Sequence, residues 1–130
     1  MTTVEDILMV KGPDVIVTDP ETTVLEAARL MNEDDVGSVI VRKEGEVVGI
    51  FTERDLLRRV VAVRKDPATV PLTEVMSSPI RSCRLRDTVE DCARIFSKSR
   101  IRHLAVIEDG ALVGLIGLRD IQRAETFVST

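Results

Sequence analysis

Two spacings in this chain could hold a polar ligand. Gly49-x-x-Thr52-x-x-Asp55 stands where a strand should give way to a helix, and Gly114-x-x-Gly117-x-x-Asp120 stands in the same place further on. A glycine there lets a ligand approach the backbone, and the N–H groups of a helix start carry partial positive charge. A carboxylate at that point accepts two hydrogen bonds from a diol, such as that of a ribose. The same residues also satisfy a plainer pattern, since Thr52 as N-cap and Asp55 three residues later form a capping box worth about 1 kcal/mol. The second motif tips the balance modestly toward a ligand: it has lost the hydroxyl, at Gly117, yet keeps Asp120. An acid at a helix start is favourable in any case.

Cations stand near both motifs. Arg54 and Arg119 each precede the motif acid, and Arg102 with His103 could face an anionic group of a ligand, the first bidentately and the second when charged. Arginines in solvent and a hydrogen-bonded edge-strand histidine are the plain alternatives. Cys83 and Cys92 have no metal-ligand spacing around them, so no metal site is expected. Cys92 reads as a small core residue, and the role of Cys83 stays open. With one histidine, no Ser/His/Asp or Cys/His order and no Walker-type loop, an enzyme is not expected. The aromatics are Phe51, Phe96 and Phe127, with no Trp or Tyr, so a ligand stacked on aromatic rings is not expected.

The elements that must position these residues come twice. Sliding the chain by 65 positions lays Thr23-Val24, Ala28-Arg29, Val48-Gly49 and Arg54-Asp55 onto Thr88-Val89, Ala93-Arg94, Val113-Gly114 and Arg119-Asp120, with no gap between Val15 and Arg58. A long period present only twice means two copies of one α/β unit rather than a solenoid. Each copy reads as strand, helix, strand, strand, helix. In the first, Val15-Ile16-Val17 is a buried strand ended by Asp19-Pro20, and Val24, Ala27, Ala28 and Met31 form a helical stripe capped by Thr23. Two strands follow, joined by a Glu44-Gly45 turn, and then a helix whose apolar face is Leu56, Leu57, Val60 and Val61. The second copy has Ile80, the stripe Val89, Cys92, Ala93 and Phe96 capped by Thr88, and strands around Asp109-Gly110. The domains are residues 1–63, a connector 64–71 with two prolines, and residues 72–130. Short helices over Val4 to Val10 and Leu72 to Met76 lead into the first and second copies and cover their sheet edges.

At 130 residues, 44% hydrophobic and 31% charged with net charge −4, the chain suits one soluble globular protein whose copies share a core. It shows no basic footprint for nucleic acid, no membrane span and no secretory leader, so the cytoplasm is the expected location.

Pro20-Glu21-Thr22-Thr23-Val24, then Val47-Val48-Gly49-Ile50-Phe51-Thr52-Glu53-Arg54-Asp55, and Ile101-Arg102-His103-Leu104-Ala105-Val106 resemble a tandem pair of CBS domains, the Bateman module. The resemblance covers nearly the whole chain and rests on the order of the motifs in both copies. It implies an α/β (α+β) fold in which two pseudo-symmetric β-α-β-β-α units pack through their sheets and leave two clefts. It also implies a regulatory sensor of AMP, ADP, ATP or an adenosyl compound such as S-adenosylmethionine, needing no other cofactor, and a disc-like homodimer. On this pattern Asp55 and Thr52 hold ribose in one cleft and Asp120 in the other. Ser82 stands where the family often has a strand hydroxyl, Val17 replaces it in the first copy, and basic residues take the phosphates. Each cleft departs from the full pattern, so whether one or both are occupied stays open, with Thr52-Asp55 slightly favoured. An effector protein in trans would read the bound state. The competing expectation is a ligand-free structural dimerisation module whose acids only cap helices.

Overall fold

A computed structural model describes residues 1–129, with side chains as far as Glu125. Thr130 and the side chains of residues 126–130 lie outside the described residues, Phe127 and the end of the second repeat among them. The chain opens with α1 (Val4–Lys11). The first copy follows as β1 (Val17–Thr18), α2 (Val24–Asp34), β2 (Ser38–Lys43), β3 (Glu46–Thr52) and α3 (Glu53–Asp55), continued by π-helical turns over Leu56–Val61. After α4 (Leu72–Val75), the second copy supplies β4 (Ser82–Cys83), α5 (Val89–Ser99), β5 (His103–Glu108), β6 (Ala111–Gly117) and α6 (Leu118–Ser129).

Each copy builds a three-stranded sheet, ordered β1-β2-β3 and β4-β5-β6, its first pair parallel and its second antiparallel. Both hairpins turn on two residues with positive φ, Glu44 and Gly45 in one, Asp109 and Gly110 in the other. That geometry matches the twist of the flanking strands. The expected strand at Val15 pairs only over Val17–Thr18, with the Ile40 N–H also donating to the Ile16 carbonyl at 2.8 Å. Thr23 and Thr88 cap α2 and α5, as the Thr-x-x-acid spacing predicts.

The apolar face expected after Asp55 is half right. Val60 is fully buried and Leu56 half-buried, but Leu57 and Val61 are 60% and 61% exposed. Only one of two adjacent residues per turn can face the sheet, and Leu56 and Val60 take that side.

The leading helices correct a second expectation, for each covers the other copy. The Val4 N–H donates to the Asp87 carbonyl at 2.8 Å and the Val89 N–H to Thr2 at 3.0 Å. Val4, Ile7 and Leu8 share a core with Val89, Cys92, Leu104 and Ile116. Leu72 and Val75 of α4 belong to the first copy's core with Val24, Val39 and Phe51. By contact the chain divides into Val15–Ile80 and a second unit made of Met1–Asp14 and the residues from Arg81 onward. The sequence boundaries at 63 and 72 mark the repeats rather than these packing units. Connector 64–71 has a structural task, since carbonyls of Pro67 and Val70 accept the Leu25 and Val24 N–H groups at 2.9 and 3.0 Å. These are among the donors that a helix start leaves unpaired.

Candidate ligand site at the strand-to-helix turns

The first motif folds as a closed polar knot. At Thr52 the backbone leaves β3 extended, and its hydroxyl accepts the Asp55 N–H at 3.2 Å. The Asp55 carboxylate answers through Oδ2, which accepts the Thr52 N–H at 3.0 Å and the Thr52 hydroxyl at 3.2 Å. Its Oδ1 accepts the Ser77 hydroxyl at 2.9 Å and lies 3.6 Å from Arg59 Nε. Arg59 also donates to the Met76 carbonyl at 2.9 Å. Asp55 is only 5% exposed, so these bonds replace the water it has lost.

The second motif solves the same problem with a cation. The Gly117 N–H donates to Asp120 Oδ2 at 2.8 Å, reproducing the backbone half of the capping box. Where the first copy uses hydroxyls, Lys11 Nζ lies 2.9 Å from the same Oδ2 and donates also to the Leu115 carbonyl at 2.9 Å. Asp120 keeps 14% side-chain exposure and Lys11 36%, so this bond is nearer to water than the one it parallels.

Strand register brings some of the sequence-derived residues together and separates others. His103 pairs with Gly117 across β5 and β6, as Ser38 pairs with Thr52, and the Leu118 N–H donates to the Arg102 carbonyl at 2.8 Å. A methyl group on Gly117 would lie 3.5 Å from Asp120 Oδ2 and 3.8 Å from the His103 ring. Arg102, His103, Gly117 and Asp120 therefore share one end of the second sheet. Ser82 does not join them: it is exposed on β4, the far strand, opposite Ala105. Two strand spacings separate it from β6, roughly 10 Å. Arg54 and Arg119 are exposed on the first helical turns.

The glycines correct another expectation, because the chain itself occupies the space they leave. A Cβ on Gly49 would meet Met76 Sδ and the Ser77 carbonyl at 2.8 Å, and one on Gly114 would meet Leu8 Cδ1 at 2.7 Å. Sequence reasoning also missed Ser77, Arg59 and Lys11. The i, i+4 spacing of Asp55 and Arg59 was a usable signal. Ser77 and Lys11 had none, since each belongs to the segment that precedes the opposite copy.

Cys92 is fully buried, as its place on the α5 stripe predicts, and Cys83 is buried beside it in the same core. A hydrogen bond with Cys92, together with burial, pushes the Cys83 thiol up. Among the described residues no cluster of three or more His, Cys, Asp or Glu could hold a metal ion, and no helix is long and apolar enough to cross a membrane.

Two such sheets, each leading from its last strand into a helix that opens on an acid, match the CBS domain over residues 4–62 and again over 72–126. The chain belongs to the CBS domain family. It is 34% identical over 107 residues to the CBS domain-containing protein YhcV of Bacillus subtilis, covering 82% of this chain and 76% of that one. Protein MK0525 of Methanopyrus kandleri is 35% identical over 117 residues, 88% of this chain, which spans 60% of the length of that relative. Among solved structures, the hexameric CBS-CP12 protein from bloom-forming cyanobacteria superposes with a TM-score of 0.88 at 32% identity, covering all of this chain and 76% of that one.

Proposed function

We propose that this chain is a non-catalytic regulatory module of the cytoplasm that binds an adenosine compound at the sheet end of its second copy, and that it works as a homodimer read by an effector protein. The observation that carries the reading is the state of the two acids. Asp55 is buried and uses both carboxylate oxygens on Thr52, Ser77 and Arg59. The bonds of Asp120 that are seen among the described residues run through Oδ2, one of them from a partly exposed lysine that a ribose diol can replace.

The surroundings of Asp120 support the same choice. Arg102 and His103 lie at that sheet end with cationic chemistry suited to phosphate, whereas the first copy has Gly37 and Ser38 there. Ser82, across the sheet by roughly 10 Å, is within the span of a nucleoside. This reverses the preference for Thr52-Asp55 that the motif alone suggests. The closed knot around Asp55 favours, for that copy, the structural reading in which the acid only caps.

A thermal-shift panel of AMP, ADP, ATP, NAD and S-adenosylmethionine tests the proposal on the wild type, Asp55→Ala and Asp120→Ala. A ligand at a hundredfold excess over its dissociation constant stabilises the fold by about 2.7 kcal/mol. The shift is expected to survive Asp55→Ala and to vanish in Asp120→Ala. No shift with any of the five compounds would sink the sensor reading, and loss only in Asp55→Ala would move the site to the first copy.

A further inference from the structure

Each copy carries a groove along a helix, α2 or α5, and the two grooves differ in charge. In the second unit the groove holds about 390 Å³ and is lined by Arg81, Asp91, Arg94, Ile95, Lys98 and Ser99. Three cations face one carboxylate there. Arg94 pairs with Asp91, and Arg81 donates to the Ser99 hydroxyl at 2.9 Å. In the first unit the groove holds about 410 Å³, and Glu26 and Leu30 stand at the repeat positions of Asp91 and Ile95. Its other charged residues are Asp19 and Arg42.

The contrast sharpens at the helix ends. α5 finishes in Lys98 and Ser99 with Arg100 as its C-cap, while α2 finishes in Glu33 and Asp34 with Asp35 as its C-cap. The last turn of α2 contains no basic residue. Three carboxylates thus sit at the negative end of a helix dipole, where acids are unfavourable. All three are exposed, and neither they nor Lys98 has an ion-pair partner among the described residues. Val36, just beyond this acidic end, is 41% exposed, and Ile95 supplies an apolar floor to the basic groove. A cationic groove with an apolar floor fits an acidic end that carries an apolar residue.

We infer that the acidic α2 end of one chain seats in the basic α5 groove of a second copy of this chain, so that subunits associate first copy to second copy. The inference rests on the homodimer reading above and gives that dimer its direction. Glu33 and Asp34 face Lys98 and Arg81, and Val36 lies against Ile95. An arrangement that set equivalent copies together would bring like charges face to face.

Sedimentation velocity across a concentration series, at low and at physiological salt, tests the inference with Lys98→Glu and with the pair Glu33→Lys and Asp34→Lys. Each charge reversal is expected to weaken self-association at least about tenfold, and added salt to weaken the wild type. Mixing the two variant chains in equal amounts is expected to restore association to within about threefold of wild type, since each reversed surface then meets its complement. That recovery also shows that both variants are folded. A monomeric wild type overturns the dimer reading and this inference together. A wild-type dimer whose variants associate as tightly, or whose mixture is no tighter than either variant alone, overturns only the direction of pairing. The adenosine reading is tested separately by the thermal shifts.

Discussion

A buried carboxylate shows its purpose by what surrounds it. Asp55 is held by a backbone N–H, two hydroxyls and a guanidinium, and the Ser77 bond at 2.9 Å reaches it from outside its own motif. Ser77→Ala removes the close donor to Oδ1 and leaves Arg59 at 3.6 Å as the nearest charge. The cost is expected to be about 1–2 kcal/mol in urea denaturation, in the range for an under-satisfied buried acceptor. Lys11→Met, which removes a partly exposed ion pair, should cost less than about 1 kcal/mol. Equal losses would mean that the two acids are held alike, contrary to their burial. Thr52, Asp55 and Asp120 were legible as a motif because their bonds run over three residues of chain. Ser77 and Lys11 were not, because no local pattern ties residue 77 to 55 or residue 11 to 120.

Helix caps were the most legible elements. Thr88 accepts the Asp91 N–H at 3.1 Å, and Asp91 accepts the Thr88 N–H at 3.0 Å, so the box written in the sequence is present in space. The backbone N–H of Thr88, then its hydroxyl, holds the Asp91 carboxyl below the usual carboxylate range. A carboxyl whose pKa is lowered by folding stabilises the fold above its unfolded pKa and loses that contribution as pH falls through the folded one. Asp91→Asn is therefore expected to narrow its stability gap from wild type as pH is lowered from neutral through the ordinary carboxylate range and below it. Thr88→Ala should cost about 1 kcal/mol at neutral pH. A gap that does not change with pH would show that the Asp91 charge takes no part in the cap. The π-helical turns over Leu56–Val61 were not legible. Paired apolar residues at 56, 57, 60 and 61 suit an α-helix with a wide face as well as a wider turn with a narrow one.

On the scale of the molecule, each copy is completed by a segment that precedes the other, and the repeated glycines record where that segment crosses. Gly49 and Gly114 occupy one repeat position, yet what covers them differs. Over Gly49 lie a methionine side chain and the Ser77 carbonyl, and Ser77 exchanges hydrogen bonds of 2.8 and 3.0 Å with Ile50. An added methyl there must break that bridge or move the strand. Over Gly114 the nearest atoms are the branches of Leu8, which can turn away. Overpacking typically costs 1–3 kcal/mol. Gly49→Ala is expected at or above about 3 kcal/mol, and Gly114→Ala near 1. Leu8→Ala, in a well-packed core, should itself cost at least about 2 kcal/mol, but less than that when made in Gly114→Ala, because the new methyl takes up part of the space the leucine leaves. Met76→Ala should relieve Gly49→Ala far less, since the carbonyl stays in place. Urea midpoints for the four single and two double variants decide the matter: equal costs at the two glycines, or strictly additive pairs at Gly114, would mean that α1 does not press on β6 as the contacts require.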